Sequence, residues 1–400
     1  MKNVGILTFH WAYNFGANLQ TFSTYNNLLQ LGYSPIVINW VPKDDEAVQG
    51  ELVDMRQIEE HRWFSELMKK TKLCRNSKEV AQQIVDNKIE AVIVGSDAVF
   101  NIRKNLFSLR TRKVIKPLSD HIFPNPFWGD FNGYMSFKVP VSTLSVSCQN
   151  APYKDFSKER TQIGRCLKEF SRITVRDSWT AKMVQYFTGE TYLPQITPDP
   201  VWAFIETDEF FLSKEYIVKK YSIPDDYVIL SFERNTEVFS DKWLKEFTKK
   251  MEEYAPVVNL EKIIGNYQLD CTYYVNSPIP IREWYYLIKY SKGYVGVLMH
   301  PLIVALRNTV PVYSFDTYGK KNIFRIPNKN TSKVYDIMRS YDLLSNYHMC
   351  SWLSSLPSAE EVISALSTFS YENSKNHNTI LKHRYLETLN GIMHDFSRNK

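Results

Sequence analysis

Short apolar runs alternate with stretches of helical periodicity over most of the chain. The run Val4–Phe9 is followed by apolar residues near helical spacing at Leu19, Phe22 and Leu28, and then by a second apolar run, Pro35–Trp40. Apolar residues that recur every three or four positions are typical of a helix, and short apolar runs are typical of buried strands. This order predicts a strand–helix–strand unit whose two strands lie parallel.

The same alternation continues to about residue 200. It predicts strands at 91–94, 143–146 and 172–175, and helices at 77–88, 156–169 and 177–187. Residues 102–140 interrupt it with a basic stretch followed by one rich in proline, glycine and aromatic residues. Loops of this length in compact domains are usually functional or mobile. We therefore interpret 102–140 as an insertion near the active cleft.

A second round of alternation begins after residues 197–204. It predicts strands at 227–232, 257–260, 294–299 and 310–315, helices at 241–254 and 282–289, and a short helix from Pro301. Residues 358–397 have a helical pattern. The predicted fold class is α/β, with two Rossmann-like lobes, 1–203 and 204–357, and a C-terminal helical tail, 358–400. By analogy with other two-lobed α/β enzymes, the tail is expected to brace the lobes.

Composition and charge narrow the range of partners. The 400 residues are 44% apolar, which is enough for a core in each lobe. The chain has 49 basic and 43 acidic residues, a formal charge of +6, and no block of like charge that would follow a nucleic-acid backbone. A nucleic-acid partner is therefore not expected. At most, the basic and aromatic insertion allows peripheral contact with an anionic membrane.

Cysteine usage and the absence of targeting patterns point to the cytoplasm. The five cysteines are scattered without a CxxC pair, which argues against a disulfide framework or a zinc site. No His, Cys and carboxylate residues cluster at metal-ligand spacing, so no metal and no cofactor are expected. No apolar stretch approaches the ~20 residues of a membrane span, and no signal peptide is recognisable. We expect a cytoplasmic protein, with peripheral contact at the inner face of the membrane as its only membrane association.

The stretch FHWAYNFGANLQTF, residues 9–22, joins the first predicted strand to the first helix. It has one glycine where the dinucleotide-binding fingerprint has three. Asn14, Asn18 and Gln20 bring amide groups to a strand carboxyl end and a helix N-terminus, where an anion or a hydroxyl-rich ligand is favoured. Spacing alone explains Asn14 equally well as a helix cap.

Two further candidates follow predicted strands directly. In VIVGSDAVFN, residues 92–101, Asp97 lies at the carboxyl edge of the sheet, where open α/β folds bind ligands, and is a candidate general base for a sugar hydroxyl. The alternative is a helix N-cap formed by Ser96 or Asp97. His300 precedes Pro301, so its ring is expected in the crevice between the lobes as an anion donor or a general acid. The alternative is a structural histidine.

Two arginines and one aspartate complete the set of candidates. Arg234 in SFERN and Arg176 in ITVRD can each form a charge-assisted fork with a carboxylate or a phosphate. The alternative is a surface pair, of Arg234 with Glu233 or of Arg176 with Asp177, and for Arg176 the sequence favours that alternative. Asp199 in TPDP either faces the cleft or shapes a turn.

Six segments together resemble the polysaccharide pyruvyl transferase family in order and spacing over about residues 4–316. They are GILTFHWAYNFGANLQTFSTYNNLLQLGY, VIVGSDAVFN, ITVRDSWT, PDPVW, SFERN and LMHPLIVALRNTVPVYSF. The resemblance implies a fold similar to the glycosyltransferase-B type, no metal, and transfer of pyruvate from phosphoenolpyruvate to a sugar as a ketal. It also implies that arginines and a histidine of the second lobe hold the donor anion, and these carry over to Arg234 and His300. The residues Asn14, Asn18 and Gln20 are then expected on the acceptor side.

One position departs from the family pattern. The family commonly has arginine two residues before this histidine, whereas this chain has Leu298. A lost charge-assisted contact weakens donor binding by about 1.5–3 kcal/mol unless another cation replaces it. Lys292, Arg282 and Arg307 are the candidates for replacement, and a changed donor or lost activity are the alternatives.

The resulting prediction is a pyruvyl (ketal) transferase acting on a bacterial surface polysaccharide or its lipid-linked precursor. His300 and Asp97 are the predicted catalytic residues, and Arg234 and His300 the donor-binding ones. Two alternatives remain open: a glycosyltransferase of the same two-lobed fold that uses nucleotide sugars, and a non-catalytic saccharide-binding relative, which Leu298 suggests.

Overall fold

The computed structural model describes residues 2–46, 53–108, 112–189, 192–233, 238–261, 269–276, 278–322 and 325–398. The chain divides into two compact units. The first comprises residues 1–52, 65–205 and 381–400, and the second comprises residues 53–64 and 206–380. Arg234, one of the predicted donor-binding residues, lies outside the described residues.

Strands and helices alternate as the sequence predicts. The strands are β1 Asn3–Leu7, β2 Ser34–Val37, β3 Ile89–Val94, β4 Leu106–Ser108, β5 Lys113–Ile115, β6 Val141–Thr143, β7 Thr174–Val175, β8 Gln195–Ile196, β9 Val228–Ser231, β10 Val257–Leu260, β11 Tyr273–Val275, β12 Gly293–Gly296, β13 Val312–Asp316, β14 Lys320–Lys321, β15 Pro327–Asn328 and β16 Tyr347–Met349. The α-helices are α1 Phe15–Gln30, α2 Met55–Glu66, α3 Ser77–Asp86, α4 Arg160–Lys168, α5 Ser178–Thr188, α6 Lys214–Tyr221, α7 Asp241–Tyr254, α8 Ile281–Tyr290, α9 Met299–Arg307, α10 Lys333–Ser340, α11 Ala359–Ser367 and α12 Tyr371–Arg398.

The first unit is built on a parallel sheet in the order β2-β1-β3-β6. Two bridges, from Ser142 to Arg172 and from Val146 to Val175, lead on to β7, which pairs in parallel with β8. The long strand β3 is almost entirely apolar and buried, because helices and loops cover both faces of a parallel sheet. Local signals set the helix ends: α5 begins after the capping side chain of Asp177 and ends at Gly189, whose φ of 74° suits glycine.

The predicted insertion, 102–140, has two parts of opposite character. Strands β4 and β5 form a two-stranded antiparallel ribbon that is largely exposed. The segment after them forms short 3₁₀ turns and buries Phe127, Trp128 and Phe131 in the core of the unit. These three aromatic residues are therefore core side chains and not a sugar-stacking surface, whereas Tyr134 and Phe137 of the same segment are exposed.

The second unit is built on a six-stranded parallel sheet in the order β11-β10-β9-β12-β13-β16. Residues 241–254 and 257–260 form the predicted helix and strand with the predicted bounds. The helix α7 begins after Ser240, whose hydroxyl accepts a hydrogen bond from the backbone N–H of Trp243. Both mixed α/β units have parallel sheets, as the predicted fold class requires.

The units differ in extent from the predicted lobes in two places. Residues 53–64 belong to the second unit, because the Gln57 side chain exchanges two hydrogen bonds with the backbone of Ile279 and Phe64 packs on Phe210. The helical tail is observed as α11 and α12, and α12 passes from the second unit to the first between residues 380 and 381. The helix α2 was not predicted from the sequence, because it has no clear apolar stripe.

Candidate functional site

The elbow between β1 and α1 places three predicted acceptor residues in different environments. Asn14 is exposed, and its side-chain oxygen accepts hydrogen bonds from the backbone N–H groups of Gly16 and Ala17, at 2.9 and 3.4 Å. It is therefore the N-cap of α1. Asn18 is buried and donates to the Ala12 carbonyl at 3.3 Å. The cap explains the asparagine at position 14, and its role in acceptor binding stays a prediction.

Gln20 belongs to a buried network at the carboxyl edge of the first sheet. Its side chain is fully buried and donates from Nε2 to Oδ2 of Asp199. The same carboxylate oxygen accepts from Nη1 of Arg176 at 2.7 Å, and Oδ1 of Asp199 accepts from the backbone of Val201 at 3.0 Å. Any effect of Gln20 on a bound sugar is therefore expected to act through Asp199.

Arg176 lies at the centre of this network. Its Nη2 is 3.5 Å from Oδ1 of Asp97, and its side chain is 7% exposed. Burial lowers the pKa of the guanidinium, but the carboxylates of Asp199 and Asp97 outweigh that effect and raise it, so Arg176 remains a cation. The predicted surface pair with Asp177 is wrong, because Arg176 is buried against two other carboxylates and Asp177 caps α5.

Asp97, the predicted base, is held by this cation in an unusual backbone conformation. Its φ is 76°, in the left-handed region, where aspartate is tolerated but uncommon. The Oδ1 atom also accepts from the backbone N–H of Ala98 at 2.7 Å. The alternative of a helix N-cap is wrong, because the described residues after Asp97, up to Ser108, contain no helix. Non-glycine residues in this region are concentrated at functional sites, which favours a functional carboxylate.

A second polar cluster of the first unit was not predicted. Asp120, in a 3₁₀ turn of the insertion, is 4% exposed, and its Oδ1 has no hydrogen-bond partner among the described residues. Burial, together with the charges of Asp45 and Asp44, raises the pKa of Asp120 to about 7. Its Oδ2 lies 3.7 Å from Nε2 of His121.

The acidic neighbours of Asp120 come from the segment after β2. The carboxylate of Asp44 accepts hydrogen bonds from the backbone N–H and the hydroxyl of Ser119, both at 2.8 Å, and Asp45 accepts from the Trp11 indole. The cluster thus joins the elbow, the end of β2 and the insertion. A carboxyl group that titrates near neutral pH is able to give or take a proton. Little in the sequence indicates this cluster, because Asp120 and His121 are simply adjacent residues inside an irregular segment.

In the second unit, the sheet pairs the strand that ends at Ser231, the first residue of SFERN, with the strand that precedes LMH. Strands β9 and β12 are parallel neighbours, with Ser231 opposite Gly296. A Cβ atom at Gly296 would lie 2.5 Å from the Ser231 carbonyl oxygen and 2.6 Å from Oη of Tyr294, so only glycine allows this close approach. His300 follows Gly296 by four residues, and Arg234 follows Ser231 by three.

His300 lies in the first turn of α9 and is half-buried. Leu298 is the N-cap residue of this helix, and no side chain caps the helix at that position. The first backbone N–H groups of a helix and its dipole attract an anion. In this helix, however, the backbone N–H of Met299 is hydrogen-bonded to Tyr318 and Pro301 has no N–H, so the first turn offers few backbone donors.

The three cations considered as replacements for the family arginine are used elsewhere. Arg307 lies at the other end of α9, about 10 Å along the axis from His300, and contacts Glu206 and Tyr285. Lys292 precedes β12, about 13 Å from its carboxyl end, and lies over the Tyr254 ring. Arg282 lies over the Trp63 ring, with 4.9 Å to the ring centroid, and donates to the backbone of Glu209.

The described part of the chain contains neither a metal cluster nor a membrane span. No group of three or more His, Cys, Asp and Glu side chains converges there in a way that could hold a metal ion. None of the described helices is both long enough and apolar enough to cross a membrane.

Solved structures with similar folds span nearly the whole chain. The UDP-GlcNAc 2-epimerase of Neisseria meningitidis, bound to UDP-GlcNAc, has a TM-score of 0.53 at 9% identity, over 98% of this chain and 100% of that one. The UDP-GlcNAc 2-epimerase of Methanocaldococcus jannaschii has a TM-score of 0.51 at 11% identity, over 96% and 100%. The Arabidopsis thaliana protein UGT89C1, complexed with quercetin, has a TM-score of 0.50 at 8% identity, over 98% and 99%. At these identities the likeness shows the fold alone, which is of the glycosyltransferase-B type.

Sequence comparison identifies the family. No curated protein matches the chain by sequence. A profile of the family described as polysaccharide pyruvyl transferase matches residues 14–318, which include Asn14 and the rest of α1, Asp97, Arg176, the SFERN segment and His300. Since this profile covers more than half of its length, the chain belongs to the polysaccharide pyruvyl transferase family and is a transferase.

Proposed function

We propose that this transferase moves pyruvate from phosphoenolpyruvate onto a sugar of a bacterial surface polysaccharide or of its lipid-linked precursor. The product is a cyclic ketal formed with two hydroxyls of one sugar. The observation that carries the proposal is the pairing of Ser231 with Gly296, because it makes neighbours of the two strands that lead to Arg234 and His300 in a chain matched by this family.

The reaction requires an acid, a base and groups that hold an anion. Protonation of the methylene carbon of phosphoenolpyruvate makes C2 electrophilic, and one sugar hydroxyl adds to it. Phosphate then leaves with its electron pair, and the second hydroxyl adds to C2 and closes the ring. One of the two hydroxyl protons is balanced by the proton taken up at the methylene carbon, and the other by the departing phosphate, which becomes hydrogen phosphate.

The donor is assigned to the second unit. Its phosphate and carboxylate lie within a few bonds of each other, so several cationic or N–H donors must surround a small volume. Arg234 and His300 supply two of these donors. His300 is also the proposed acid. No metal and no cofactor take part in the proposed reaction.

The acceptor is assigned to the first unit. Asp97 is the proposed base, and its carboxylate is oriented by Arg176 at 3.5 Å. Asn14 and Asn18 offer amide groups at the elbow, and Gln20 acts through Asp199, to which it donates. The ion pair of Arg176 with Asp199 keeps the guanidinium fixed, so that Asp97 faces a rigid partner.

A direct test is the release of inorganic phosphate from phosphoenolpyruvate in the presence of acceptor oligosaccharides, combined with donor-dependent thermal shift. We expect stabilisation by phosphoenolpyruvate and not by a panel of nucleotides and nucleotide sugars, because a ligand that binds only the native state raises the melting temperature. Stabilisation by UDP-sugars alone would instead support a glycosyltransferase. Saccharide binding without stabilisation by either donor would support a non-catalytic relative.

A further inference from the structure

The exposed ribbon formed by β4 and β5 carries large apolar side chains on both of its faces. The register pairs Leu106 with Ile115 and Phe107 with Val114. Cross-strand partners share one face of a ribbon, and successive residues alternate between faces. Leu106, Phe107, Val114 and Ile115 are 67%, 61%, 57% and 55% exposed, so the described part of the chain covers neither face.

The same segment accounts for the net charge of the whole chain. The sequence has 49 basic and 43 acidic residues. Residues 103–116 contain six of the basic residues and no acidic one, which leaves 43 of each sign in the rest of the chain. Arg112, Lys113 and Lys116 are exposed, and Arg110 lies outside the described residues. A basic and apolar ribbon is therefore attached to an otherwise neutral chain.

The base of the ribbon is fixed to the first unit. Ile102 is fully buried, and the backbone N–H of Arg103 donates to the His121 carbonyl at 3.0 Å. Lys104 pairs with Glu159 at 3.3 Å and lies over the Phe156 ring. Arg103 and Lys104 thus hold the base in place, and Arg112, Lys113 and Lys116 are exposed to a partner.

The chemistry of the ribbon selects its partner. A two-stranded ribbon is at best marginally stable in water without further cover. A protein that docks on one face leaves the other face in water, whereas the interface of a lipid bilayer surrounds both faces. Single-stranded nucleic acid is bound mainly by stacking on aromatic rings, and three of these four side chains are aliphatic. Exposed lysine and arginine are attracted to anionic headgroups.

We propose that the β4–β5 ribbon is a peripheral anchor for an anionic bilayer. Leu106, Phe107, Val114 and Ile115 enter the boundary between headgroups and acyl chains, and Arg112, Lys113 and Lys116 contact lipid phosphates. The anchor does not depend on the chemistry of the reaction. Only its use, to bring the first unit to a lipid-linked acceptor, rests on the proposed function.

The test is co-sedimentation of the full chain with vesicles of phosphatidylcholine alone and of phosphatidylcholine mixed with phosphatidylglycerol. We expect binding to the anionic vesicles that weakens as salt is added. The double variant Leu106→Ser/Phe107→Ser should weaken binding by about 10-fold or more, since it removes two large apolar side chains from the interface. In Lys113→Ser/Lys116→Ser the loss should be about 5-fold for each lysine.

Matched controls come from exposed residues outside the ribbon. Leu353 is 59% exposed and Lys154 is exposed, so Leu353→Ser and Lys154→Ser should bind vesicles as the parent does. Circular dichroism melting shows whether each variant is folded, and calorimetry with phosphoenolpyruvate shows whether donor binding is unchanged. If the parent does not bind phosphoenolpyruvate, this result counts against the proposed function and not against the anchor.

Three results would overturn the anchor. The parent could remain in the supernatant with anionic vesicles at low salt. The folded Leu106→Ser/Phe107→Ser variant could bind vesicles as tightly as the parent, which would show that the ribbon binds through its charges alone and does not insert. Single-stranded RNA could displace the chain from vesicles while the apolar substitutions have no effect, which would assign the ribbon to nucleic acid.

Discussion

Nη1 of Arg176 lies 2.7 Å from Oδ2 of Asp199, and both side chains are buried, at 7% and 3% exposure. A second arginine–aspartate pair of the same unit has the same separation, 2.7 Å between Nε of Arg172 and Oδ2 of Asp395, but its side chains are 33% and 26% exposed. The two pairs therefore differ in solvation and not in distance. Burial decides how much each one matters, because water screens an exposed pair and cannot reach a buried one.

We expect Arg176→Ala to lower the free energy of unfolding by about 3–5 kcal/mol, because it leaves the buried carboxylate of Asp199 and the half-buried one of Asp97 without their cation. The matched variant Arg172→Ala should lower it by about 1 kcal/mol or less. Urea unfolding followed by circular dichroism measures both values. Equal losses in the two variants would show that the buried Arg176 network contributes no more to stability than the partly exposed Arg172 pair.

For Asp97, the substitution Asp97→Asn keeps the size of the side chain and its hydrogen bond to Ala98, and removes the charge. If Asp97 is the base, turnover should fall by about 10²-fold or more while the melting temperature stays close to that of the parent. Phosphate release at saturating phosphoenolpyruvate measures turnover. A near-normal rate in the folded variant would restrict Asp97 to a structural role beside Arg176.

The donor site predicts losses at two positions and a gain at a third. Arg234→Ala and His300→Ala should each abolish detectable binding of phosphoenolpyruvate, since each removes a charge-assisted or hydrogen-bonded contact to a small dianion. Leu298→Arg should tighten binding by about 10-fold, because the structure engages Arg282, Lys292 and Arg307 elsewhere. Titration calorimetry measures all three variants.

Surface residues of the same type serve as controls for the donor site. Arg339→Ala and His383→Ala remove exposed side chains, 60% and 71% accessible, and should leave the affinity unchanged. If Arg234→Ala and His300→Ala also bind like the parent, the donor site has been assigned to the wrong residues. If the parent itself binds no phosphoenolpyruvate, the proposed reaction is wrong.

The raised pKa of Asp120 predicts how stability depends on pH. Between the ordinary aspartate pKa of 3.8 and the folded value of about 7, the folded chain keeps a proton that the unfolded chain has lost. The free energy of unfolding should therefore fall as pH rises through this window and level off above it. A pKa difference of one between the folded and unfolded chain corresponds to about 1.4 kcal/mol, so the effect amounts to a few kcal/mol.

The variant Asp120→Asn, which cannot ionise, should lose this contribution and be more stable than the parent at pH 8. The exposed residue Asp155 provides the control, Asp155→Asn, which should follow the parent at every pH. Thermal melting from pH 4 to pH 8 compares the three proteins, and the difference between parent and variant isolates the one carboxyl. An Asp120→Asn curve parallel to that of the parent would place the pKa of Asp120 in its usual range.

Phosphate release should need no divalent ion, because the proposed reaction uses only side chains to hold the donor anion. We expect the rate to be unchanged after treatment with EDTA and extensive dialysis. A rate that is lost with the chelator and restored by magnesium would contradict this.

Most elements could be predicted because they depend on local pattern. The helix at 241–254 and the strand at 257–260 were predicted with their observed bounds, since a capping serine, an apolar stripe and a short apolar run all lie within one window of sequence. The short strand β7, Thr174–Val175, was predicted two residues too long, because edge pairing decides where a strand ends. The β4–β5 ribbon was not predicted. Its apolar residues are exposed on both faces, so they do not form the alternating pattern of a half-buried strand.

For the candidate site, too, a residue could be chosen from the sequence only where a local signal marked it. Asp97 and His300 were chosen because they follow predicted strands and ligands of open α/β folds bind at the carboxyl ends of the strands, and their roles stay predictions. The environment of Arg176 was predicted wrongly, since its partner Asp199 is 23 residues away and nothing local signals that both are buried. Asp120 was not predicted at all, because an aspartate in an irregular segment has no pattern.

The sequence by itself determined the order of strands and helices, the α/β class, the family and the residue types that stand at the ends of strands. Each of these depends on side-chain periodicity or on a motif read within a few residues. Only the tertiary structure decided that Gln20 reaches Asp199, that Asp44 and Asp45 raise the pKa of Asp120, and that both faces of the ribbon remain exposed. The physical reason is that burial and charge interactions depend on distance in space, and folding brings together residues far apart in sequence, such as Gln20 and Asp199, which are 179 positions apart.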